Sequence, residues 1–163
     1  MTRKNIIVAA AAMTLVAGVG NAAGATVTKS GSDVRFQAPA AETNDVTVAK
    51  VGANYVLTDP GAPLTAGTGC AVVTANSVSC PEIGVQSMTV FLHDGNDKAL
   101  VADSVTGISI QLDGSIGNDT LVGGLNTDDT LVGDSTLAGT DVLTGRGGND
   151  RFFSGPGNDT MDG

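Results

Sequence analysis

Tryptophan is absent from this 163-residue chain, and there are only one Tyr, four Phe and one His. A large aromatic core is excluded, so something besides aromatic burial must help to hold the fold. A catalytic triad or zinc site that needs His would have to use His93. Its neighbours Asp94 and Asp97 belong to a Gly- and Asp-rich loop. The plain reading is a surface His beside that loop, and no enzymatic activity is expected. Basic residues are also scarce, eight against seventeen acidic ones, for a formal charge of −9. That balance excludes the Lys/Arg footprint of a nucleic-acid binder and a polybasic membrane patch. Glutamate is nearly missing too: there are fifteen Asp against two Glu. A merely solvated acidic surface uses both residues, whereas Asp with Gly points to turns and ion-coordinating loops.

The chain opens with Arg3 and Lys4, an apolar run from Ile6 to Val19, and then small residues. Basic, apolar, small is the order of a secretory signal peptide. The apolar run is short for a membrane span of about 20 residues. Gly20-Asn21-Ala22 and Ala23-Gly24-Ala25 both suit a cleavage site, and the second is favoured, giving a signal peptide over residues 1–25. No membrane span is then expected in the mature chain. Export implies an oxidising compartment. There Cys70 and Cys80, the two cysteines present, are expected to form a disulfide. The short loop so closed is worth roughly 2–3 kcal/mol.

Residues 26–112 read as short strands and turns. Val34 and Phe36, Val46 and Val48, Tyr55 and Leu57, and Met88, Val90 and Leu92 each alternate with other residues. Ile108, Ile110 and Leu112 do the same. A period of two marks half-buried strands. Asp59-Pro60-Gly61 is a turn signal, and Ala75-Asn76 lies where a hairpin would reverse.

Residues 113–163 repeat a short phrase. The clearest copies are Gly145-Arg146-Gly147-Gly148-Asn149-Asp150-Arg151-Phe152-Phe153 and Ser154-Gly155-Pro156-Gly157-Asn158-Asp159-Thr160-Met161-Asp162. Aligned copies place their Asp at Asp119, Asp129, Asp141, Asp150 and Asp159, with an isolated upstream copy at Asp97. Two residues after each comes Leu121, Leu131, Leu143, Phe152 or Met161, with Ala99 in the upstream copy. Glycine lets backbone carbonyls turn inward, Asp supplies a short carboxylate, and the apolar residue points into a narrow core. One unit cannot bury its own apolar face, but stacked units can.

These residues resemble the haemolysin-type calcium-binding nonapeptide, GGxGxDxUx, of the RTX family. Gly145 to Phe153 fits with Arg146 in place of the second Gly, and Ser154 to Asp162 with Ser154 in place of the first. Gly114 to Val122 keeps Gly114, Gly117, Asp119 and Leu121. Gly123 to Val132 has one extra residue, and Gly133 to Thr144, which keeps Gly139, has three. The resemblance implies a parallel β-roll in which each loop lies beside the loop two copies later, with calcium between them. It implies the pairs Asp119 with Asp141, Asp129 with Asp150 and Asp141 with Asp159. The metal-site candidates are Asp97, Gly117, Asp119, Asp129, Gly139, Asp141, Gly145, Gly147, Gly148, Asp150, Gly155, Gly157 and Asp159.

The expectation is thus an all-β secreted protein, with a small β-strand region over residues 26–112 and a C-terminal calcium-binding solenoid over residues 113–163. Calcium is the expected cofactor; a cell-surface or protein partner is left unnamed. The alternative is the front part of a larger secreted RTX exoenzyme or adhesin whose functional domain lies beyond residue 163.

Overall fold

The computed structural model describes residues 24–134 and 136–163. The signal-peptide segment therefore lies outside the described residues, apart from Gly24 and Ala25. Fifteen strands follow in chain order. The first seven are β1 (Thr26–Ser30), β2 (Asp33–Gln37), β3 (Asp45–Val51), β4 (Asn54–Thr58), β5 (Thr65–Ala66), β6 (Ala71–Thr74) and β7 (Ser77–Pro81). Next come β8 (Ser87–Phe91), β9 (Lys98–Val101), β10 (Thr106–Ser115) and β11 (Thr120–Val122). The last are β12 (Asn126–Asp134), β13 (Val142–Thr144), β14 (Arg151–Phe153) and β15 (Thr160–Asp162).

The strands form two sheets, ordered β14-β12-β10-β8-β2-β1-β5 and β15-β13-β11-β9-β3-β4-β7-β6. From β8 onward, consecutive strands alternate between the sheets. Within the first sheet β2, β8, β10, β12 and β14 pair in parallel. Within the second, β3, β9, β11, β13 and β15 do so. Each loop between these strands therefore crosses from one sheet to the other. Crossings from the first sheet to the second stack along one edge, at residues 38–44, 92–97, 116–119, 136–141 and 154–159. Return crossings at 102–105, 123–125 and 145–150 stack along the opposite edge.

The alternation in the sequence explains which faces are buried. Val34, Phe36, Met88, Val90, Ile110, Leu112 and Leu131 from one sheet meet Val46, Val48, Leu57, Ala99, Leu121 and Leu143 from the other in a single apolar core. The repeat leucines Leu121, Leu131 and Leu143 are fully buried, as a period-two strand requires. Phe152 is only partly buried, and Met161 departs from the expectation at 53 % exposed. The reason is position: β14 and β15 are the last strands of their sheets, with a neighbour on one side only.

Antiparallel strands complete the other end of both sheets. β1 pairs with β2, β3 with β4, β4 with β7, and β6 with β7 around the Ala75–Asn76 turn. Cys70 and Cys80 are joined, with Cα atoms 4.3 Å apart, and Cys80 is fully buried. β10 runs unbroken across residues 112 and 113, pairing with β8 on one side and β12 on the other. Replacing both cysteines by Ser is expected to lower unfolding free energy by roughly 2–3 kcal/mol. A urea titration of the oxidised chain and the double variant checks this, and equal midpoints would contradict it.

Candidate calcium-binding edge

The loops of the first edge are tied together by a side-chain-to-backbone ladder. Asp97 Oδ1 accepts a hydrogen bond from Asn44 N–H at 2.8 Å. Asp119 Oδ1 accepts from Asp97 N–H at 2.8 Å, Asp141 Oδ1 from Asp119 N–H at 2.8 Å, and Asp159 Oδ1 from Asp141 N–H at 3.0 Å. The residue before each Asp bonds in the opposite direction. Asn96 Oδ1 accepts from Asn118 N–H, and Asn118 Oδ1 from Thr140 N–H. The recurring Asn-Asp dipeptide thus grips the loops on both sides. On the opposite edge Asp150 Oδ1 accepts from Asp129 N–H, and Asp128 Oδ1 from Asn149 N–H. All three Asp pairs drawn from the sequence are adjacent, and the upstream Asp97 joins the same ladder.

Glycine makes this stacking possible. Gly95, Gly117 and Gly157 have φ of +148°, +152° and +149°, a conformation that L side chains rarely adopt. A Cβ on Gly117 would overlap the Gly95 carbonyl oxygen; one on Gly139 would overlap that of Gly117, and one on Gly157 that of Gly139. Gly145 leaves room for the Asp150 carboxylate, and Gly147 and Gly148 rest against the carbonyls of Leu125 and Thr127. Gly155 lies against the backbone of Asp134.

The ladder uses one oxygen of each carboxylate and leaves the other dry. Asp97 Oδ2, Asp119 Oδ2 and Asp141 Oδ2 are buried without a hydrogen-bond partner, and these three residues are at most 1 % exposed. Asp141 Oδ2 and the Ser154 carbonyl oxygen both border the space that a Gly133 side chain would fill. The Ser154 carbonyl already accepts from Asp134 N–H, so Asp141 Oδ2 is the oxygen there that still needs a proton or a cation. Among the described residues, no three His, Cys, Asp or Glu side chains gather to hold a metal ion. The converging donors are carboxylate oxygens with backbone carbonyls, a hard oxygen set that fits calcium better than zinc.

Burial displaces the acidities accordingly. Desolvation pushes Asp119 up to about 7 and Asp97 up to about 6, against backbone hydrogen bonds that favour the charged form. Desolvation also raises Asp141, with Asp134 and Asp159 adding repulsion. Asp129 rises to about 6, chiefly through desolvation.

The second edge is built differently. Asp129 Oδ2 accepts from Gly124 N–H at 2.7 Å and Thr127 Oγ1–H at 3.0 Å, while Asp129 Oδ1 is buried without a partner, as the open oxygens of the first edge are. Arg146, held at φ +76°, reaches back along this edge. Its guanidinium donates to the Val101 carbonyl at 3.1 Å and the Gly123 carbonyl at 3.3 Å, and pairs with Asp103. A tethered cation therefore already lies among the carbonyls there. His93 pairs with Gln37 on the exposed surface.

Two residues of this geometry escape a reading of the sequence. Asn44 occupies the Asp position of the first loop, because Asp45 pairs with Lys98 rather than with Asp97. Asp134, just before the insertion of the third tail copy, is 3 % exposed, and neither of its oxygens has a hydrogen-bond partner of normal geometry. The three extra residues of that copy, which place an Asp directly after its first Gly, were the available signal.

Residues 111–129 and 124–161 match the model of the RTX calcium-binding nonapeptide repeat, in four copies. No curated protein and no solved structure matches the chain.

The pH response follows from the raised carboxyls. Their folded-state values lie above the ordinary Asp value of about 3.9. Their contribution to stability is therefore fully present below that value and lost as pH rises through 6 to 7. With a chelator present, the urea midpoint is expected to be higher at pH 5 than at pH 7.5. An equal or higher midpoint at pH 7.5 would show that these carboxylates are not buried unpaired.

Proposed function

We propose that this chain is a secreted calcium-binding protein whose repeats coil into a parallel β-roll locked by calcium. Repeats of the matched kind bind calcium, and the match covers Asp119, Asp129, Asp141, Asp150 and Asp159, while Asn44 and Asp97 lie upstream of it. The observation that carries the reading is the set of buried, unpartnered oxygens at Asp97, Asp119 and Asp141. A divalent cation between loops neutralises them and satisfies the facing carbonyls.

Asp97, Asp119, Asp141 and Asp159 would hold the ions of the first edge, with carbonyls exposed by Gly117, Gly139 and Gly157. Asp129 and Asp150, with Gly145, Gly147, Gly148 and Gly155, would serve as lesser sites. Calcium supplies charge neutralisation; the chain supplies preformed oxygens on a rigid two-sheet frame. We read the coil as starting at β2 and β3, a reading supported by parallel pairing on both sides of residue 113. No enzymatic role is assigned.

Among the described residues no helix is long and apolar enough to cross a membrane. Export rests on the N-terminal sequence, and the fold bears on where that segment ends. Ala25 is fully buried, its carbonyl accepts from Thr65 N–H at 2.9 Å, and Gly24 packs against Pro63. Cleavage after Ala25 would remove a core residue. Cleavage after Ala22 keeps it, so the upstream of the two sites is the better fit.

Calcium titration followed by circular dichroism tests the central claim. Millimolar calcium is expected to raise strand signal and thermal midpoint, with magnesium much weaker because it sheds water reluctantly. At a free concentration of 100 Kd each site adds about 2.7 kcal/mol. Asp119→Asn keeps an acceptor for Asp97 N–H but loses the charge, so it should blunt the calcium response far more than Asp33→Asn. Identical responses to calcium and magnesium, or an unaffected Asp119→Asn, would defeat the proposal. Mass spectrometry of the exported protein should place its first residue at Ala23; a start at Thr26 would refute that cleavage site.

A further inference from the structure

We propose that Asp134 is an additional calcium ligand, and that it makes the inserted third tail copy the tightest cation site of the first edge. The inference rests on the calcium reading above and goes beyond it. In the nonapeptide pattern the place after the first Gly is another Gly, and the chain has Ser115 and Arg146 at that place in other copies. Neither is acidic. Here it is an Asp, and the three extra residues follow it before the loop rejoins the pattern at Gly139.

The carboxylate does not point to solvent. Asp134 is 3 % exposed, although Thr136, Leu137 and Ala138 just after it are exposed. Its backbone is clamped, with Asp134 N–H donating to the Ser154 carbonyl at 3.0 Å. Its Oδ2 and the Gly117 carbonyl oxygen both crowd the point where a Gly139 Cβ would stand. Gly139 is thus required for Asp134 to face the Gly117 carbonyl. Neither Asp134 oxygen has a hydrogen bond of normal geometry, and Asp141 Oδ2 and Asp119 Oδ2 are also buried and unpartnered. Asp134 repels Asp119 and Asp141, and Asp159 repels Asp134.

A surface insertion with no binding role would turn its Asp outward, where hydration is free. Burying a carboxylate against a carbonyl, with only the Gly117 N–H nearby and not in normal hydrogen-bond geometry, costs several kcal/mol unless a cation arrives. Affinity of an oxygen site for calcium rises with the number of charged ligands and the rigidity of the site. This loop has one more carboxylate than its neighbours and is held between the loops at Gly117 and Gly157.

The test is isothermal calorimetry of the full chain with calcium, comparing wild type, Asp134→Asn and Asp33→Asn. Asp134→Asn should weaken the tightest class of sites about tenfold or more, while Asp33→Asn leaves that class in place. In chelator, Asp134→Asn should raise the urea midpoint, since a buried unpaired charge is removed. A merely structural Asp134 would lower that midpoint and leave the tight class unchanged, which overturns the inference. A second readout needs no variant. In the wild-type chain the carboxyl carbon resonance of Asp134 should shift with those of Asp119 and Asp141 at the first additions of calcium, ahead of Asp150. An Asp134 resonance that stays fixed while Asp119 and Asp141 move overturns the inference alone. A wild-type chain that takes up no calcium overturns both this inference and the reading beneath it.

Discussion

One constraint governs the first edge: a carboxylate whose two oxygens meet different fates. In Asp97, Asp119 and Asp141 one oxygen accepts a backbone N–H from the neighbouring loop, and the other is sealed off with nothing to bind. A hydrogen bond to a charged group contributes about 1.5–3 kcal/mol. Leaving an ionised group buried and uncompensated costs several kcal/mol. The bond that organises the ladder is thus too weak to justify burying the charge that makes it. Either a proton or a cation must supply the difference. Near neutral pH the proton is only partly available, since even Asp119 is raised only to about 7. A divalent ion is available at any pH where the carboxylates can release their protons, which is why the geometry calls for metal.

The two edges answer this demand in different ways. The first has five stacked loops and leaves its oxygens open. The second pairs the Asp103 carboxylate of its upstream crossing with Arg146, closes Asp129 Oδ2 with Gly124 and Thr127, and inserts the Arg146 guanidinium among its carbonyls. Holding a non-Gly residue in the left-handed region costs of order 1–3 kcal/mol. Arg146 meets two carbonyls and the Asp103 carboxylate in return. A guanidinium on the chain is always present, whatever the ionic conditions outside. The second edge keeps one open buried oxygen, Asp129 Oδ1, but part of its demand for cations is met by the chain itself, whereas the first edge has no such tethered cation among the described residues of its loops.

Much of this was legible in the sequence, and the limits of legibility are physical. A period of two fixes which residues face inward, so Val34, Phe36, Met88, Val90, Leu121 and Leu143 could be assigned to the core from alternation alone. The resemblance to the RTX nonapeptide implied the adjacency of Asp119, Asp141 and Asp159, because a two-sided coil returns to the same edge every second crossing. Insertions did not disturb it: the three extra residues before Gly139 are accommodated by an outward excursion at residues 136–138, after which the ladder resumes. What a repeat pattern cannot show is a residue that breaks it. Asn44 stands outside every repeat copy, yet β3 registers against β9 so that it takes the Asp place. Arg146 looked like a lapse from Gly, whereas its function depends on Val101 and Asp103, which are over forty residues away. Such roles depend on register, which emerges only when distant loops are stacked.

The upstream end shows how the ladder can begin without a metal. Asn44 is neutral, and its Nδ2 donates to Asp59 Oδ2 at 2.8 Å and Glu42 Oε2 at 3.1 Å. Asp59 is fully buried, yet its other oxygen accepts from Asp45 N–H and Gly61 N–H. Here a buried carboxylate is matched by amide donors on both oxygens, from a turn set by Asp59-Pro60-Gly61. The antiparallel strands and the disulfide add further constraint at this end. Moving along the edge from Asn44 to Asp97, Asp119 and Asp141, donors give way to carbonyls and carboxylates facing one another. The carboxylate of the first rung is therefore matched by donors, although Asn44 Oδ1 has none, whereas each later rung leaves a carboxylate oxygen for an ion from outside. A stack with that polarity has a defined starting surface. Rungs added under calcium extend a template that hydrogen bonds have already set.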